Sequence, residues 1–147
     1  MDYPALAVRL LDSMQALHRF RPQKHINEAM QGEAFVLRFL MTHEMHGGGV
    51  LPGQISGEMG VSSARVAAAL NSLESKGLIT RQIDLSDRRK ILVKITGEGK
   101  ALARQQQQNV VAGAAKMLAL LGEHDAQEYV RITGRLAEIA SANHIKL

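Results

Sequence analysis

Apolar positions along this chain recur every three or four residues over long stretches and alternate only briefly, which predicts a mainly helical protein with one small hairpin. Leu6, Leu10, Met14 and Leu17 mark a first helix from Pro4 to about Arg19, with Pro4 in a first turn where its missing N–H costs nothing. Arg21-Pro22 breaks that segment, and residues 20–30 read as a connection or a weak turn of helix. A second helix, about Gly32 to His46, puts Phe35, Val36, Phe39 and Leu40 on one face and ends at Gly47-Gly48-Gly49, where backbone entropy opposes helix. A third runs from near Pro52 to about Met59, Ile55 and Met59 facing inward, and Gly60 makes a tight turn.

The next helix, Ser62 to Lys76, is started by a Ser62 or Ser63 cap and stopped by Gly77. Val66, Leu70 and Leu73 point to the core; the opposite face is Ala64, Ala68, Asn71 and Ser75, flanked by Arg65 and Ala67. Short strands follow at Leu78–Ile83 and Lys90–Ile95, joined by residues 84–89. Thr96 caps a long helix to about Leu121, with Glu98 in the first turn where the dipole favours an anion. Its glutamine run, residues 105–108, reads as a polar helix strip rather than low complexity. Gly122 separates it from a last helix, about Glu123 to Asn143, carrying Tyr129, Ile132, Leu136 and Ile139.

A capped helix followed by two strands, with Asp87-Arg88-Arg89-Lys90 at the connecting loop, predicts a winged helix-turn-helix. Such a unit presents one helix to a major groove and cations to the adjacent phosphates and minor groove, so double-stranded DNA is the expected partner. Direct readout would rest on Ser62, Ser63, Arg65 and Asn71, with Ala68 able only to meet a thymine methyl or permit close approach. Few base-edge hydrogen bonds are therefore expected, and more reliance on DNA shape. Arg88, Arg89 and Lys90 would meet the backbone. Arg65 is a DNA contact that could instead pair with Glu58 or Glu74, and Lys76 is a candidate phosphate contact at a helix end where the dipole alone would also explain a cation.

The overall numbers fit without deciding. The chain has 147 residues, enough for a single domain, and a net charge of +4, which suits a polyanion. Aromatics are 3% with no Trp, which disfavours readers that stack single-stranded bases. With no Cys, disulfides and thiolate zinc sites are excluded. No apolar run approaches the roughly 18 residues that span a bilayer, and Met1-Asp2-Tyr3-Pro4 does not open a signal peptide, so a cytoplasmic protein without membrane contact is expected. The terminal helices, 1–31 and 100–147, carry apolar faces that the 32–99 DNA-binding lobe is too small to cover. A second copy would bury them, making a homodimer whose recognition helices lie about 34–36 Å apart.

The segments Leu51-Pro52, Ile55-Ser56, Met59-Gly60-Val61-Ser62, Val66, Leu70, Leu73-Glu74-Ser75-Lys76-Gly77-Leu78-Ile79, Arg81, Asp87-Arg88-Arg89 and Ile95-Thr96 to Gly99 resemble the MarR family of bacterial transcriptional regulators. The resemblance is close over about a third of the chain. It implies a homodimer on palindromic operators, usually a repressor, and often release of DNA when a small aromatic or anionic molecule binds. It also adds Arg81 to the DNA-contacting set and makes Asp87 and Arg89 an acid-x-basic wing signature. There the carboxylate would orient the arginine, and the arginine would enter a narrow minor groove. The family's usual Thr and Arg on the recognition helix are replaced here around Arg65, Ala67 and Ala68.

Other chemistries find less support. His43 and His46 lie three apart with Glu44 between, and a zinc-responsive regulator of the same fold is the alternative they raise; no third or fourth ligand is evident. His18 and His25 are candidates for an anionic effector. No nucleophile elbow, phosphate loop or metal helix accompanies the Ser, His and Asp residues, so neither an enzyme nor a cofactor is expected. A winged helix used only for protein contacts would need an apolar or acidic recognition face.

Overall fold

The computed structural model describes residues 1–17, 32–44 and 48–143. The candidates His18, His25 and His46, and the expected connection at 20–30, lie outside them. Within them the elements are α1 (Tyr3–Leu17), α2 (Gly32–Glu44), α3 (Pro52–Met59), α4 (Ser63–Ser75), β1 (Ile79–Ile83), β2 (Ile91–Ile95), α5 (Gly97–Leu121) and α6 (Glu123–Ala142). The mainly helical architecture with one antiparallel hairpin matches the winged helix-turn-helix expectation.

Each boundary around the recognition unit has a local cause. Pro52 opens α3, whose first turn is closed by Gln54, the Leu51 N–H donating to Gln54 Oε1 at 2.8 Å. Ser62, rather than Ser63, caps α4: its Oγ accepts the Arg65 N–H at 3.4 Å. At the other end the Leu78 N–H donates to Leu73 O at 3.0 Å and the Gly77 N–H to Glu74 O at 2.9 Å. This paired closure needs a left-handed residue, supplied by Gly77 at φ +71°. The chain reverses there, and β1 runs back beside α4 into the hairpin, with Ile79 opposite Ile95, Arg81 opposite Val93 and Ile83 opposite Ile91.

Thr96 joins hairpin to helix. Its Oγ1 accepts the Gly99 N–H at 3.1 Å and donates to Gly77 O at 2.7 Å, while its own N–H reaches Leu78 O at 3.0 Å. Gly99 is buried against that same carbonyl: a β-carbon there would lie 2.1 Å from Leu78 O. One threonine and one side-chain-free position thus lock the start of α5 to the end of α4.

The core gathers Val36, Leu37, Leu40, Ile55, Val66, Leu70, Leu73, Ile79 and Val93 from five elements, all nearly inaccessible to water. Each such aliphatic side chain contributes roughly 1.5–3 kcal/mol relative to exposure. The expected inward faces of α3 and α4 hold, with Ile55 fully buried and Met59 at the core's edge. In α2 the face is turned. Leu37 is buried, whereas Phe35 and Phe39 are only half-buried, because α2 is enclosed by α5, β2 and α4 together. The two phenyl rings stack at 6.2 Å along the edge of that contact, and the His43 ring packs 3.9 Å from Phe39.

Val50 adds a single bridge to the sheet. Its N–H donates to Val93 O at 2.9 Å and its carbonyl accepts the Val93 N–H at 2.8 Å. The preceding Gly49 passes so close to β2 that a β-carbon would lie 2.6 Å from Leu92 Cβ. The glycine run therefore does more than end α2.

The terminal helices contrast with this. Neither α1 nor α6 has a buried residue. Leu6, Leu10, Leu11, Met14 and Leu17 of α1 and Tyr129, Ile132, Leu136 and Ile139 of α6 are exposed. Helix α5, 25 residues and about 38 Å long, is buried only near its start, at Gly99 and Ala103, and α6 packs back along it. No helix among the described residues is long and apolar enough to cross a membrane.

Candidate nucleic-acid interface

Burying Val66, Leu70 and Leu73 fixes the rotation of α4 and leaves Ser63, Ala64, Arg65, Ala67, Ala68, Asn71 and Ser75 exposed on the other side. The side chains of that face are small, with Arg65 its one long cation, and Arg65 and Ala68 also line a hollow shared with Glu33, Phe35, Glu58 and Met59. Among the described residues Arg65 makes no ion pair; of its sequence candidates, Glu74 is engaged by Arg81 instead, Nη1 to Oε2 at 3.3 Å.

The hairpin tip is shaped by two aspartates. Asp84 Oδ1 accepts from both the backbone N–H and the hydroxyl of Ser86, at 2.8 and 2.7 Å. Those bonds, the hydroxyl's first, hold its carboxyl below the usual carboxylate range. Asp87 Oδ1 accepts the Arg89 N–H at 3.1 Å and lies 3.4 Å from Arg89 Nε, with Lys90 Nζ 4.0 Å from the other oxygen. Backbone bonds from Asp84 N to Lys90 O and from Lys90 N to Asp87 O, both 2.9 Å, close the loop. An aspartate that caps the N–H two residues on is a self-contained turn, so the loop needs no support from the core. Arg88, Arg89 and Lys90 project outward, the Arg89 side chain 93% exposed, and Leu85 stands at the tip wholly in solvent.

Two other candidates occupy positions between elements. Lys76, at the C-terminal cap of α4, reaches Glu33 Oε2 at 2.6 Å and so bridges α4 to the start of α2. Arg81 sits on the same face of β1 as the buried Ile79, since strand residues alternate. Its Nη2 donates to Asn71 Oδ1 at 2.8 Å, and with Glu74 this ties the hairpin to the outward side of α4. The sequence reading grouped Asn71 and Arg81 as separate contacts and missed their pairing. The signal available was opposite charge at Glu74 and Arg81 on either side of the Gly77 reversal.

A cavity of about 580 Å³ lies between α2 and α5, lined by Ala34, Arg38, Met41, Thr42, Ala103 and Arg104 with part of the glutamine strip. The polar-strip reading of that run is thereby given a surface to line. His43 Nδ1 lies 2.9 Å from Phe39 O, and among the described residues no group of three or more His, Asp or Glu is placed to hold a metal.

Residues 32–90 match the model of the MarR family. Over 146 aligned residues the chain is 27% identical to the uncharacterized HTH-type transcriptional regulator YwhA of Bacillus subtilis, covering 94% of this chain and 100% of YwhA. It is 29% identical over 136 residues to the HTH-type transcriptional repressor MdtR of the same organism, covering 89% and 85% of the two chains. The fold is similar to the crystal structure of the YusO protein from Bacillus subtilis, with a TM-score of 0.73 and 27% identity over 94% of this chain and 99% of YusO. Motif, hairpin geometry and relatives agree: residues 32–90 are similar to the MarR family, and the chain as a whole is similar in sequence and fold to HTH-type transcriptional regulators.

Proposed function

We propose that this chain is a MarR-type transcriptional regulator that binds a palindromic double-stranded operator as a homodimer and represses transcription from it. Each subunit would lay α4 in a major groove, with Ser62, Ser63, Arg65, Ala68 and Asn71 toward the bases. The loop from Asp84 to Lys90 would reach the adjacent minor groove, Arg89 leading, while Arg88 and Lys90 meet phosphates. The observation that carries this reading is the pairing of a small exposed helix face with a self-locked, arginine-bearing hairpin tip beside it. Lys76 and Arg81 are engaged with Glu33, Asn71 and Glu74, which suits them to hold the reading surfaces in register.

Dimerisation is supported by the exposed apolar faces of α1 and α6, which nothing within the described chain covers. Repression is supported by the likeness to MdtR, a named repressor. The cavity between α2 and α5, with Arg38 and Arg104 in its lining beside apolar Met41 and Ala103, suits a small anionic or aromatic effector. Such a ligand would act by preferring one spacing of the two DNA lobes.

The test is a titration of full-length protein against a palindromic duplex at rising salt. A dimer neutralising about 6–10 phosphates should lose roughly 10³–10⁵ in affinity between 50 and 200 mM. A flat response would rule out this mode of binding.

A further inference from the structure

The guanidinium of Arg81 spans two residues of α4 one turn apart, Nη2 donating to Asn71 Oδ1 at 2.8 Å and Nη1 lying 3.3 Å from Glu74 Oε2. A guanidinium carries donors only, so the amide atom turned toward it is necessarily the carbonyl oxygen. We infer that Arg81 is a specificity-setting residue: it holds Asn71 so that the amide offers its Nδ2 donors to the groove and reads a base acceptor. This rests on the proposal that α4 enters a major groove.

Asparagine distinguishes adenine by a two-point contact, accepting from N6 with Oδ1 while donating to N7 with Nδ2. That contact needs both amide atoms on the edge facing the base. With Oδ1 turned to the hairpin, the edge that remains presents donors, which match guanine O6 and N7 or thymine O4 and leave the adenine N6 donor unanswered. Asn71 is exposed, and without an anchor its amide would be free to turn over. Arg81 is only 27% exposed in its side chain and is fixed by the Glu74 carboxylate on its second nitrogen, so the anchor is itself anchored. The planar fork of arginine serves both partners at once, which a lysine ammonium at the same place would not do in fixed geometry. Two residues apart in function are thereby made one reading unit, with Arg81 acting through Asn71 rather than on a base.

The experiment is selection of bound duplexes from a random pool with full-length wild type, Asn71→Ala, Arg81→Lys and Glu74→Gln, and comparison of base preference position by position. Wild type should prefer guanine or thymine over adenine at one position per half-site, and Asn71→Ala should flatten that same position. Arg81→Lys, which keeps the charge opposite Glu74, should raise adenine there about fivefold or more relative to guanine and thymine. Its salt dependence should stay that of wild type. Glu74→Gln should shift the position in the same direction by less, which covers the case of an Arg81→Lys protein that does not fold. An Arg81→Lys or Glu74→Gln profile identical to wild type there, or an Asn71→Ala protein with unaltered preference, overturns the inference. Wild type enriching no sequence at all overturns the proposed DNA reading instead, an outcome in which the variants play no part.

Discussion

Asp87 and Arg89 are joined twice: one carboxylate oxygen accepts the Arg89 backbone N–H at 3.1 Å and lies 3.4 Å from the guanidinium Nε. The first contact makes the turn and the second aims the side chain, so the same aspartate shapes the hairpin tip and directs a cation that stands 93% exposed. Arg89→Ala should weaken DNA binding by about 1–3 kcal/mol with an unchanged melting temperature, read by anisotropy titration and circular dichroism. Asp87→Asn keeps an oxygen for the turn but loses the charged partner, and should weaken binding by less. Equal affinity of Arg89→Ala and wild type would remove Arg89 from the interface.

Gly99 tests how the hairpin is locked to α5. Because a β-carbon would meet Leu78 O at 2.1 Å, Gly99→Ala must push apart α5 and the end of α4. A loss of about 1–3 kcal/mol is expected from such overpacking. For a chain near 150 residues this lowers the melting midpoint by roughly 2–4 °C per kcal/mol. A melt coincident with wild type would show that the segment yields without cost.

Glu33 gives a pH signature. The hydrogen bond from Lys76, helped by one from Ser72, holds its carboxyl below the usual glutamate range. A lowered folded-state pKa means that the stabilisation is present above the unfolded value and is lost as pH falls through the folded one. The pair is well exposed, so its worth at neutral pH should be under about 1 kcal/mol. In urea melts the difference between wild type and Glu33→Gln should be largest near neutrality and vanish below the glutamate range, about pH 4. A difference that grows toward acid would contradict the assignment.

The terminal helices separate folding from assembly. Leu136 and Ile132 on α6 are exposed and belong to no core, so Leu136→Glu should leave the winged-helix lobe folded. Sedimentation velocity should show a monomer for the variant and the proposed dimer for wild type, and operator affinity should drop because only one half-site is held at a time. A Leu136→Glu protein that sediments with wild type would place the dimer contact elsewhere.

Much of this molecule was written locally in its sequence. Capping residues, glycine stops and apolar spacing fixed α3, α4, the hairpin and α5 to within a residue or so, because each depends on neighbours a turn away. Asp87-Arg88-Arg89-Lys90 was legible for the same reason: its geometry is made by bonds within the loop. The burial of Leu37 in place of Phe35 and Phe39 was not legible, since it depends on three elements enclosing α2 at once. Nor was the tie between Arg81 and Asn71, ten residues apart, which exists only because the chain reverses at Gly77 and strand alternation turns Arg81 toward α4. Short-range chemistry determined which elements form and which loop carries the charge. Long-range packing alone decided how each helix is rotated and which polar groups meet, because those outcomes depend on surfaces brought together from distant parts of the chain.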